Sequence, residues 1–171
     1  MRDGKLVSKN SVIFYLVGLG VVIVDQITKI IARNSLSDRA LNVIPGFFDL
    51  RLSYNRGAAF GVLPDWTPLF IIVALVAIFA IVKLRSAGPD SRSLSIGLGL
   101  LLGGALGNLI DRLISPGNKV TDFLSVHIAS KGKTYAWPTF NIADMAIVIG
   151  AVIVLFYVYI IEKRRSENDA G

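Results

Sequence analysis

The stretch Ser93–Ile110, SLSIGLGLLLGGALGNLI, decides the class of fold. Its 18 residues carry no charge, and Asp111 and Arg112 follow at once. A helix crossing a hydrocarbon layer about 30 Å thick needs roughly 20 predominantly apolar residues. Three further uncharged runs accompany it: Ser11–Val24 with 14 residues, Trp66–Val82 with 17 and Met145–Ile161 with 17. Each reaches the required length by borrowing a few neighbours. The 171-residue chain is 53% apolar and 18% charged, with a mean hydropathy of +0.62. Soluble domains are about 25% charged. These features exclude a soluble globular enzyme, a disordered protein and a nucleic-acid-binding domain. The expected fold is an all-α membrane protein of four transmembrane helices with a small extracytoplasmic β platform in the outer loops. The helices are expected at about 11–33, 67–85, 93–112 and 141–161, within a single integral membrane domain over residues 1–171.

Inside the same stretch, Gly99, Gly103 and Gly107 recur every four residues. Such a small-residue stripe lets a neighbouring helix approach closely. A phosphate-binding loop is excluded, because no Gly-Lys-Ser/Thr follows and the segment is apolar.

The basic residues set the orientation. Arg2, Lys5 and Lys9 lie in the N-terminal tail, Lys83, Arg85 and Arg92 around the middle loop, and Lys163, Arg164 and Arg165 in the C-terminal tail. The two longer loops, 34–66 and 113–140, are sparser in basic residues for their length. By the positive-inside bias, both termini and the middle loop are cytoplasmic and the longer loops face outward. The +6 net charge then points to anionic lipid headgroups as a partner and not to nucleic acid. With no Cys and one His, His127, thiol chemistry, disulfides and a histidine metal cluster are excluded; no metal or cofactor is expected. The basic N-terminus resembles a secretory signal, but no small-residue cleavage site follows, so it reads as a retained first helix.

The outer loops carry strand patterns. Phe48, Leu50, Leu52 and Tyr54 alternate with polar residues, as do Leu124, Val126 and Ile128, which is the period of a strand with one apolar face. Ser130-Lys131-Gly132-Lys133 offers a turn before Tyr135 and Trp137. Phe47, Tyr54, Trp66, Tyr135 and Trp137 would form an aromatic belt at the outer interface.

Polar residues within or at the ends of apolar helices are functional candidates, because an ionised group at mid-bilayer costs about 2.5–3.5 kcal/mol on insertion scales. Asp25, Lys29, Asn108, Asp111, Arg112, Asn141 and Asp144 qualify, joined by Asn55 and Asp122 from the outer loops. By the assigned topology all converge on the outer leaflet. Asp25 and Lys29 have the spacing and order of a helical ion pair. Arg112 could extend to the headgroups with Asp111 as its counter-ion. Asn141 and Asp144 have the spacing of a helix cap with a carboxylate three residues on. Asp122 and Asp144 have no basic neighbour one residue or one turn away. Two such carboxylates in a partly dry site would share a proton, one serving as general base on water while the other polarises a carbonyl. The pattern alone leaves three readings open: an intramembrane acid protease, a small transporter or channel, and a structural subunit with buried ion pairs. A transporter would predict charge in the inner helix halves and internal repeats; neither is evident.

Five segments in order, Asp25-Gln-Ile-Thr-Lys29, Tyr54-Asn-Arg-Gly-Ala-Ala-Phe60, Gly103-Gly-Ala-Leu-Gly-Asn-Leu-Ile-Asp-Arg112, Val120-Thr-Asp-Phe123 and Phe140-Asn-Ile-Ala-Asp144, resemble the bacterial lipoprotein signal peptidases, the type II signal peptidase family of intramembrane aspartic proteases. The resemblance spans residues 25–144. It implies a multi-pass enzyme of the bacterial cytoplasmic (inner) membrane that removes signal peptides from diacylglyceryl-modified prolipoproteins, cutting before the lipidated Cys near the outer face. It implies Asp122 and Asp144 as the catalytic pair. Asn55, Asn108, Arg112 and Asn141 match positions associated with substrate binding and site geometry. Asp25, Lys29, Gly57, Gly104, Gly107 and Asp111 match positions of support and packing. Inhibition by cyclic peptides of the globomycin type is implied as well, and a monomer is expected.

Overall fold

The computed structural model describes residues 8–37, 39–57, 66–130 and 133–169. Helix α1 spans Lys9–Ser35, and Ser8 caps it by accepting from the Ser11 N–H at 3.2 Å. Strands β1 (Leu41–Ile44) and β2 (Phe48–Asn55) follow, then α2 (Thr67–Ala87), α3 (Arg92–Ile114), β3 (Val120–Ser130), β4 (Lys133–Ala136) and α4 (Ile142–Asp169). The four helices are each long and apolar enough to cross a membrane, α4 over Ile142–Ile161. Their ends run past the uncharged segments and take in charged residues such as Lys9, Lys83 and Arg112.

Helix α3 is the axis of the bundle and packs against the other three helices. Its glycines explain how. A Cβ on Gly103 would stand 2.6 Å from the Gly18 carbonyl oxygen of α1, and one on Gly104 would stand 2.5 Å from the Ala143 oxygen of α4. Only glycine permits backbones to pass that closely. Phe14, Ile81, Leu94, Leu98 and Leu102 fill the core between α1, α2 and α3. On α2 only Ile81 and Arg85 are buried, while Ile72, Val76 and Phe79 are exposed. That outer surface is the solvent of choice for a bilayer, not for water.

The outer loops form one antiparallel sheet in the order β1-β2-β3-β4. Its inner face packs Leu50, Leu52, Phe123 and Leu124 against Ala32, Leu36 and Ile142. The sheet departs from the simple alternation of the sequence in two ways. A register shift between Leu50 and Ser53 breaks the period of β2, leaving Tyr54 half exposed. In β3, the consecutive residues Val120, Thr121, Asp122 and Phe123 are all buried, as is Ser125, while Ile128 is exposed. The second departure has a cause in the packing: at the start of β3 both faces are covered, since Thr121 meets Arg33 of α1 and Asp122 meets Asn141 at the start of α4. The turn residues Lys131 and Gly132 lie outside the described residues. Phe47, Tyr54, Trp66, Tyr135 and Trp137 are all exposed, as an interfacial belt requires.

At the opposite end of the bundle, Arg85 donates to Asp90 Oδ1 at 2.9 Å and to the Ser11 hydroxyl at 3.0 Å. The Ser8 hydroxyl donates to the same Asp90 oxygen at 2.7 Å. This cluster staples the start of α1 to the α2–α3 connection.

Candidate active site

The site is built outward from a buried ionic layer between α1 and α3. Asp25 and Lys29, one helical turn apart, form an ion pair at 2.9 Å with both side chains fully buried. Lys29 also meets Asp111 at 3.3 Å, and Arg33 meets the other Asp111 oxygen at 3.1 Å. Asp111 is therefore not the counter-ion of its neighbour Arg112, as the sequence suggested. Adjacent residues on a helix point about 100° apart, so Asp111 turns to α1 and Arg112 away from it. The second Asp111 oxygen accepts the Thr121 N–H at 2.8 Å, tying the ionic layer to the start of β3.

The same layer fixes α4. Asp25 Oδ1 accepts the Ala143 N–H at 2.9 Å, satisfying one of the unpaired donors at that helix start. Gly107 makes room for this, since a Cβ there would stand 2.6 Å from Asp25 Oδ2. Asn141 and Asp144 cap one another: Asn141 Oδ1 accepts the Asp144 N–H at 2.9 Å, and Asp144 Oδ2 accepts the Asn141 N–H at 3.1 Å. This reciprocal cap holds the Asp144 carboxyl at the first turn of α4.

Two amides join the two acids. Asn108 Nδ2 donates to Asp144 Oδ1 at 2.7 Å, and Asn141 Nδ2 donates to Asp122 Oδ1 at 2.6 Å. Asn141 Nδ2 also lies 3.1 Å from Asn108 Oδ1. Asn55, placed opposite Val120 by the β2–β3 register, lines the same cavity as Asp122, and its side chain accepts the Gly57 N–H at 2.9 Å. Among the described residues no salt bridge reaches either carboxyl. Burial pushes the Asp122 carboxyl up to about 7; the charge of Asp144 adds to the rise, and the bond from Asn141, the charge of Lys29 and the nearby Asn55 amide oppose it. Asp122 is thus poised to hold a proton at neutral pH.

Both acids line one cavity of about 650 Å³, together with Asn55, Gly57, Asn108 and Arg112. Arg112 leans on the Phe70 ring, 5.2 Å from its centroid, and donates to the Gly57 carbonyl at 3.3 Å. Trp137, Phe140, Met145 and Val148 line the same space, so a polar floor meets an apolar wall on α4. Such a cavity suits an amphipathic ligand with a polar group to be processed and an apolar part facing lipid.

The structure brings every candidate into one neighbourhood, with different contacts. Asp122, Asp144, Asn55, Gly57, Asn108 and Arg112 line the cavity. Asn141, Asp25, Lys29 and Asp111 lie buried behind it. Gly104 and Gly107 set the spacing between helices. Sequence reasoning passed over Thr121, which is fully buried and accepts from Arg33 Nε at 3.0 Å. It also passed over Gln26, which donates to Asp25 and to the Gly107 carbonyl, both at 3.1 Å. A lone Thr or Gln carries no signal of this kind; the only cue was that each sits inside a segment already singled out.

A family model described as signal peptidase (SPase) II matches residues 17–160. The chain belongs to the signal peptidase II family. It is 42% identical over 153 residues to a lipoprotein signal peptidase of Oleidesulfovibrio alaskensis, covering 86% of this chain and 94% of that one. It is 43% identical over 143 residues to one of Moorella thermoacetica, covering 82% and 89%. A solved structure described as a bacterial membrane enzyme determined by the in meso method at 2.3 Å superposes with a TM-score of 0.74 at 31% identity, over 85% of this chain and 87% of that one. A second, at 1.9 Å, gives 0.71 at 31% identity, over 85% and 91%. The chain is a multi-pass membrane protease of the signal peptidase II family.

Proposed function

We propose that this signal peptidase removes signal peptides from lipoproteins, taking prolipoproteins whose Cys already carries diacylglycerol and cutting just before that Cys. The observation that carries the reading is the placement of Asp122 and Asp144 on one cavity, bridged by buried amides and joined by no salt bridge among the described residues. The pair holds one proton. The ionised carboxylate takes a proton from water as its oxygen attacks the scissile carbonyl carbon. The protonated carboxyl hydrogen bonds to the carbonyl oxygen as charge grows there. Collapse of the tetrahedral intermediate breaks the C–N bond, and the departing amine takes up a proton. One water is consumed, giving a carboxyl on the signal peptide and a free amine on the Cys.

The apolar wall on α4 and the lipid-facing helices let the substrate enter sideways from the bilayer. Peptide backbone in that setting needs hydrogen-bond partners, which Asn55 and Arg112 supply at the cavity edge, while Trp137 and Phe140 press on the substrate from the sheet side. The positive-inside bias supports cytoplasmic termini and a site near the outer face of the inner membrane. Cyclic peptides of the globomycin type would occupy the same cavity, and one copy of the chain contains every site residue.

The test is purified enzyme in lipid vesicles with a prolipoprotein, with and without the diacylglyceryl group, followed by mass spectrometry. The expected product begins at the lipidated Cys, and the unmodified precursor stays uncut. Cleavage at another bond, or equal cleavage of both precursors, would overturn the substrate assignment.

A further inference from the structure

The Lys29 ammonium takes no part in the hydrolysis just described, yet it is fully buried and 3.1 Å from Asn108 Oδ1. An ammonium only donates hydrogen bonds, so the side-chain oxygen of Asn108 must face it. Asn141 Nδ2 donates to that oxygen too. Asn108 therefore cannot turn over, and its NH2 is committed to Asp144 Oδ1 at 2.7 Å. The other Asp144 oxygen accepts a backbone N–H from Asn141, and this donor is equally fixed. Each oxygen of Asp144 thus faces a donor that cannot reverse, and a proton on either would disturb one of these bonds. Asp144 also sits in the first turn of α4, where the helix dipole favours negative charge. Asp122 has neither advantage: it lies on a strand, 2% exposed, and the amide that donates to it is the uncharged side chain of Asn141.

We infer that Lys29, acting through Asn108, is a positioning residue that keeps Asp144 ionised as the general base and leaves the shared proton on Asp122 as the general acid. The inference rests on the dyad reading above and gives the two acids distinct roles. The rise of the Asp122 carboxyl to about 7 agrees with it. The other charged groups around the pair are Arg112 of α3, which shares its cavity, and Asp25 of α1 and Asp111 of α3, which lie behind it. Asp25 and Asp111 are each held by Lys29, and Arg33 takes the other oxygen of Asp111.

The test is infrared spectroscopy of the full-length protein in vesicles, labelled with aspartate carrying carbon-13 in the side-chain carboxyl, at pH 5.5 to 8.5. Wild type is expected to show a buried carboxylic-acid band that fades as pH rises through about 7. The band should be missing in Asp122→Asn and retained in Asp144→Asn, with its midpoint lowered because the neighbouring charge is gone. A band kept in Asp122→Asn, or equal behaviour of the two variants, would overturn the assignment. Loss of cleavage in both variants would leave the dyad itself standing, so the two failures are distinguishable. For Lys29, the readout is the pH profile of kcat/KM. Lys29→Gln should move the acidic limb to higher pH, because the pair loses its buried cation, and Lys29→Arg should return the limb toward the wild-type position. A lowered kcat with an unmoved limb would reduce Lys29 to a structural role. The amide infrared band and thermal midpoint of each variant establish that it is folded.

Discussion

The bundle has a charged cluster at each end, and the two are built from similar residues to opposite effect. At the Arg85 end, Asp90 meets Arg85 and the Ser8 hydroxyl, Arg85 also donates to the Ser11 hydroxyl, and Asp90 is 56% exposed. At the other end, Asp25, Asp111 and Asp122 are buried; Lys29 and Arg33 are taken up by Asp25 and Asp111, and Arg112 reaches the acid pair through its charge alone, with no salt bridge among the described residues. Water compensates Asp90 whether or not its partner holds it, and its carboxyl lies below the ordinary range mainly because the Ser8 hydroxyl donates to it. Asp122 is shut off from water, and the Asn141 amide offsets only part of the effect of burial, which pushes it up to about 7. A staple and a reactive site differ in how many acids are left without a cation once the ion pairs are formed.

Substitutions at the two ends should separate sharply. The largest effect is expected from Asp122→Asn and Asp144→Asn, each lowering kcat by about 10³-fold or more, as loss of a proton-transfer group does; single-turnover cleavage measures it. Next comes Lys29→Met, which strands Asp25 and leaves Asp111 with Arg33 alone. Breaking a buried pair from one side costs about 3–5 kcal/mol, read from unfolding in mixed micelles. Gly104→Val should cost about 1–3 kcal/mol by overpacking, since its first side-chain atom already meets the Ala143 oxygen. It should also slow cleavage by displacing Asp144. Asp90→Asn is expected to change the least, with cleavage and thermal midpoint close to wild type. A large loss there would erase the contrast between the two ends.

The pH dependence of stability sharpens the same contrast. An acid whose folded value is raised destabilises the folded state progressively between its unfolded value, about 4, and its folded value, about 7 for Asp122, and by a constant amount above that. Asp122→Asn should therefore unfold at a higher temperature than wild type at pH 8, with the gain shrinking toward pH 4. Asp90, whose value is lowered, should act with the opposite sign, contributing stability that is lost as pH falls below the ordinary carboxylate range.

Much of this was legible in the sequence because lipid imposes a simple rule on helices: long uncharged runs span, and small residues mark close packing. The stripe Gly99, Gly103, Gly107 marks a close helix approach, and Gly99 and Gly103 do meet the backbone of α1; that α3 is the helix all others pack on is not written in the stripe. The Asn141–Asp144 cap was legible too, since its spacing is local. The partner of Asp111 was not. Its pairing with Lys29 and Arg33 joins helices some 80 residues apart in the chain, and sequence adjacency favoured Arg112 wrongly. The face of β3 was misread for a related reason. Alternation marks one-sided burial, whereas the consecutive side chains of Thr121 and Asp122 are both buried, one bonded to Arg33 and the other to Asn141. Polar burial leaves no periodic trace.

The proposed hydrolysis requires two carboxyls that hold one proton between them. The direct measurement is kcat/KM against pH for cleavage of a diacylglyceryl-modified prolipoprotein by the wild-type enzyme in vesicles. It should fall about tenfold per pH unit above about 7, as Asp122 gives up the proton it uses on the carbonyl. A profile that stays flat to pH 9 would contradict a shared proton and the dyad with it.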